Sequence, residues 1–66
     1  MNRLLKWFRH DHLPPKLQDI AQPIHALAQQ LDEALAEGPE KTAGMRKLIE
    51  AKDCFVRARL EQDEER

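Results

Sequence analysis

At 66 residues, with 35% of them charged and a net charge of −1, the chain makes one small domain at most. A single cysteine excludes a disulfide framework, and no Cys/His spacing marks a structural zinc site. The mixed charge argues against long-range steering toward DNA or RNA. No apolar run suits a membrane span or a secretory signal, which points to a cytoplasmic protein.

A chain this short buries only about 60% of the surface its unfolded form exposes, so oligomerisation is the expected remedy. The N-terminal segment, 1–12, opens with MNRLLKWF. This reads as two turns of amphipathic helix, with Leu4, Leu5, Trp7 and Phe8 apolar and Arg3 and Lys6 polar. Its aromatics are expected to dock on the rest of the chain; a membrane-surface anchor is the sharper alternative, although eight residues bury too little without a second signal, and a wall for a flat ligand is the third. Arg9-His10-Asp11-His12 forms a polar connector. The His-Asp-His triplet lacks the further ligands a metal centre needs.

Pro14 and Pro15 suit the first turn of a helix predicted over 14–37. Leu17, Ile20, Ala21, Ile24, Leu27, Ala28, Leu31 and Leu35 fall within an arc of about 140° at about 100° per residue, the mark of one buried face. Beside it runs a polar, almost uncharged stripe of Gln18, Gln22, His25, Gln29 and Asp32. Pro23 lies inside this helix and is expected to bend it. At Glu37-Gly38-Pro39 the helix ends, with Gly38 expected in a left-handed conformation.

A loop this short makes the next helix, predicted over 39–60, an antiparallel neighbour. Met45, Leu48, Ile49, Phe55, Val56 and Leu60 form its apolar arc, and Lys52 and Arg59 project into the middle of it, with Lys41 on the same line. Arg46, Glu50, Asp53 and Arg57 are spaced for an exposed ion-pair ladder. The charged segment 61–66 is expected to fray. The fold class is therefore all-α: a short N-terminal helix followed by an antiparallel two-helix hairpin, oligomeric.

One narrow hairpin encloses too little space for catalysis, and no nucleophile–base spacing stands out, so no enzyme and no cofactor is expected. A binding module fits better. Gln22, His25 and Gln29 offer amides and an imidazole, Lys41, Lys52, Arg57 and Arg59 offer cations, and an aromatic platform completes the set. Such groups suit a small anionic ligand with flat bases, and they would equally suit a protein partner.

Phe8-Arg9, then Ile24-His25-Ala26-Leu27-Ala28-Gln29-Gln30-Leu31-Asp32-Glu33-Ala34-Leu35, then Val56-Arg57-Ala58 follow in order along most of the chain. In this the sequence resembles the small phage proteins that act as cyclic-nucleotide sponges against CBASS immunity, which share a helical hairpin with some anti-Thoeris sponges. The resemblance implies a non-catalytic phage anti-defence protein working in the host cytoplasm. It implies a homo-oligomer, a hexamer for preference, trapping cyclic di- or trinucleotides between protomers. Carried over, the base-stacking ring falls to Phe8, beside Arg9, and the phosphate-holding lysine position to His25. Phe8 lacks the tyrosine hydroxyl of the family's pattern, and the second helix lacks its Gly-Phe-Met-Ala-Leu run. The alternative is a small helical protein–protein interaction or regulatory module that binds no nucleotide.

Overall fold

The computed structural model describes residues 2–64. It is all-helical: a 3-10 helix over Arg3–Phe8, then α1 over Pro15–Ala34 and α2 over Pro39–Glu64. α1 and α2 form the hairpin, and the 3-10 helix packs against both. The molecule is elongated, about 44 × 19 × 15 Å.

The first segment is a 3-10 helix, and its period of three explains its burial. Side chains at i and i+3 eclipse in this geometry. Asn2, Leu5 and Phe8 therefore form one ridge, and all three are buried. Arg3, Lys6 and Arg9 form another, and all three are exposed. The buried ridge completes the core, in which Leu5 and Phe8 meet Ala28 of α1 and Met45 of α2, with Leu4, Ile24, Leu48 and Ile49 around them. Leu17 and Ala21 extend burial along α1.

α1 starts on the paired prolines and runs unbroken through Pro23, which is exposed. It stops three residues short of the expected 37, and the reason is local. Leu35 turns to an extended conformation (φ −118°, ψ 138°) after its N–H donates to the Leu31 carbonyl. Gly38 does not adopt the expected left-handed conformation, and no described residue has a positive φ. The free carbonyls at this end are taken instead by Lys41, whose Nζ donates to the Asp32 and Leu35 oxygens at 2.9 and 2.8 Å. α2 runs past the expected 60 to Glu64; Asp63 on its last turn pairs with Lys16 on the first turn of α1 at 2.6 Å. Residues 65 and 66 of the expected frayed tail lie outside the described residues.

At the turn end a polar network joins all three elements. Lys41 Nζ meets Asp32 Oδ1 and Glu37 Oε1. Asn2 donates through its backbone N–H to Asp32 and through its amide to Glu37 and Thr42, and its Oδ1 accepts from Leu4 N–H. The Lys41 side chain is 5% exposed, so it is no part of a ligand-facing cation set. Glu37 and then Asp32 hold its pKa above the usual lysine value, against the effect of burial. Asp32 is held below the usual carboxylate value by Lys41 first and by the Asn2 N–H second.

Candidate ligand-binding site

The 3-10 ridge that turns Phe8 inward turns Trp7 outward. Phe8 is 0% exposed, whereas Trp7 is 57% exposed. The base-stacking role expected of Phe8 is thereby corrected: a ring enclosed on every side by the core offers no face to a base. The ring beside Arg9 that does offer one is Trp7.

Trp7 lies in an open cleft of about 380 Å³, lined also by Lys6, Arg9, His12 and Lys52. Each reaches it from a different constraint. The Lys6 ammonium sits 5.3 Å from the centre of the Trp7 ring, within cation–π range. Arg9 forms a two-pronged contact with Asp11 at 3.2–3.3 Å, which lowers the pKa of that carboxyl and leaves Arg9 on the exposed side of the connector. Lys52 comes across from α2, its stem mostly covered and its Nζ donating to the Trp7 carbonyl at 2.6 Å, with Asp53 at 3.6 Å. The inward phase of Lys52 on α2 thus has a structural use, since it ties the backbone of the aromatic residue to the hairpin.

His25 stands behind this cleft on α1. Its Nδ1 lies 3.1 Å from Nδ1 of His10, the rings edge to face at 5.1 Å. Burial lowers the pKa of His25 most, His10 adds to that, Asp11 opposes it, and Lys52 lowers it further. Of the expected site residues, Arg9 and Lys52 line this cleft, together with Lys6, Trp7 and His12, whereas His25 does not line it and meets the connector through His10. Gln22 and Gln29 flank His25 on α1 and are exposed. Gln18, on the same stripe, is used internally, donating to the carbonyls of Leu13 (2.6 Å) and Asp11 (3.4 Å) to fasten the connector.

The remaining two expected residues lie elsewhere. Arg57 is exposed and donates to Cys54 Sγ at 3.5 Å, so with Asp53 turned to Lys52 the expected ladder is not made. Arg59 borders a second, apolar cleft with Ile20, Ile24, Phe55 and Ala58. A third cleft, between Leu31 of α1 and Leu35 just past its end on one side and Gly44, Leu48 and Ala51 of α2 on the other, continues that surface toward the turn. By helical phase both lie on the side of the hairpin that the 3-10 helix leaves uncovered.

No family model, curated protein or solved structure matches the chain. What the site can do therefore rests on its own chemistry. Among the described residues no three His, Cys, Asp or Glu side chains converge to hold a metal ion, and His10 faces His25 and not His12. No described helix is long and apolar enough to cross a membrane.

Proposed function

We propose that the chain is a non-catalytic binding protein that assembles with copies of itself and sequesters a small anionic ligand bearing flat bases, a cyclic di- or trinucleotide. The observation that carries this reading is the exposed indole of Trp7 ringed by Lys6, Arg9, His12 and Lys52. An aromatic face accepts a base, and flanking cations accept phosphate oxygens. The cytoplasmic anti-defence role of a phage cyclic-nucleotide sponge is the biological setting that the sequence resemblance adds.

Assembly is supported by surface area. A folded monomer of 7.7 kDa is expected to present about 4,300 Å². This chain presents 4915 Å², an excess approaching the roughly 800 Å² that each partner of a standard interface buries. The side of the hairpin opposite the 3-10 helix carries the exposed Leu27, Leu31 and Phe55. An oligomer formed there, a hexamer by the resemblance, would bring Arg59 of neighbouring copies to the shared interface.

Isothermal titration against a panel of cyclic di- and trinucleotides at low salt tests the reading. At least one should bind, and Trp7→Ala should weaken it by about 5- to 150-fold, the loss of one base–aromatic stack. If none binds, the same uncovered apolar face favours the second reading, a protein–protein interaction module.

A further inference from the structure

Among the described residues, His10 and His25 are the one pair of titratable side chains that joins the connector to α1, and the cleft residues Arg9 and His12 stand on either side of His10. At 3.1 Å, one Nδ1 must carry a hydrogen and the other a lone pair. A first added proton preserves this arrangement, because a charged ring still donates to a neutral one. A second proton destroys it. Two N–H groups then face each other with no acceptor between two like charges, and the Lys52 ammonium of α2 adds to the repulsion. On the other side, Asp11 in the connector favours the charged ring, but it is already engaged by Arg9. Gln18 of α1 also holds the connector, closely at the Leu13 carbonyl (2.6 Å) and at the limit of hydrogen bonding at the Asp11 carbonyl (3.4 Å), so release is a swing of residues 9–12 about the Leu13 tie.

We propose that His10 and His25 form a proton-operated latch that holds the Arg9–His12 connector on α1 while at most one ring is charged and releases it when both are. Release moves two of the five residues that line the Trp7 cleft. A regulatory consequence follows, resting on the proposed ligand reading: affinity for a cyclic dinucleotide falls in acid, the reverse of what a simple phosphate-binding histidine gives. The movement itself needs no ligand.

The test is a pH titration of the free protein from 8 to 4.5, following Trp7 emission, which is unambiguous because the chain has one tryptophan. Backbone amide resonances of residues 9–13 are followed alongside. Wild type should show a transition below about pH 6.5, the ordinary histidine value, with helix content unchanged by circular dichroism. His25→Gln and His10→Gln, whose amides keep a hydrogen bond without ever charging, should abolish it, and His12→Gln should not. A wild-type profile without a transition overturns the latch, as does an identical transition in His25→Gln or one accompanied by loss of helix. Titration of a cyclic dinucleotide into wild type at pH 7.5 decides the ligand reading separately, since neither result depends on the other.

Discussion

Neighbouring aromatics in the N-terminal helix have opposite uses, and substitution should separate them. Phe8→Ala removes the one large side chain that is fully enclosed. Losses of about 3–5 kcal/mol are usual for such a change, which is most of what a domain this small has. Urea titration should find it largely unfolded. Trp7→Ala should leave the midpoint nearly unchanged while weakening ligand binding by about 5- to 150-fold. Asn2→Ala removes the cap on Leu4 and the contacts to Glu37 and Thr42, and should cost about 1 kcal/mol by the same measurement. That Phe8 and not Trp7 lies inside was visible in outline: Asn2, Leu5 and Phe8 recur every three residues. The α-helical period hides it, because side chains three apart eclipse in six residues of 3-10 helix where an α-helix would fan them out.

At the scale of elements, the hairpin was legible from the stripe of Leu17, Ala21, Ile24 and Ala28, and from the prolines that punctuate it. The helix ends were not, because they depend on partners distant in sequence: Asp63 on Lys16, and Lys41 on the last carbonyls of α1. The cleft escaped for the same reason, since only folding brings Lys52 to the carbonyl of Trp7. Gly44 gives the sharpest test at this scale. It lies inside α2, and beyond its own neighbours and the local helix backbone nothing stands within 4 Å of where its Cβ would be. In an isolated protomer Gly44→Ala should stabilise by about 1 kcal/mol, the helix propensity difference. If a second copy packs into the cleft it lines, the added methyl should instead weaken assembly. Analytical ultracentrifugation beside thermal melts reads both effects at once.

For the whole molecule, stability should fall with acid in two stages of distinct origin. His25 has a lowered pKa in the folded state, so its contribution is present above the unfolded value of about 6.5 and is lost as pH falls through the lower folded one. Asp32 is also lowered, so its contribution persists above about pH 4 and disappears only beneath that. Denaturant midpoints measured from pH 8 to 3 should show both declines. His25→Gln should remove the first and Asp32→Asn should flatten the second. The melting temperature should also rise with protein concentration, since ordered copies that bury the open side of the hairpin stabilise by mass action.

The network around Asn2 fixes an order of events. Its partners Asp32, Glu37 and Thr42 surround the turn between α1 and α2, so the N-terminal segment has nowhere to dock until that turn exists. Closing the hairpin is the nucleating step, and the 3-10 helix is recruited to it afterwards. The segment that comes first in sequence is thus among the last to find its place. Stopped-flow kinetics of Asn2→Ala should show faster unfolding with a folding rate close to wild type, whereas a lesion on the core face of both long helices, such as Ala28→Gly with Met45→Ala, should slow folding itself.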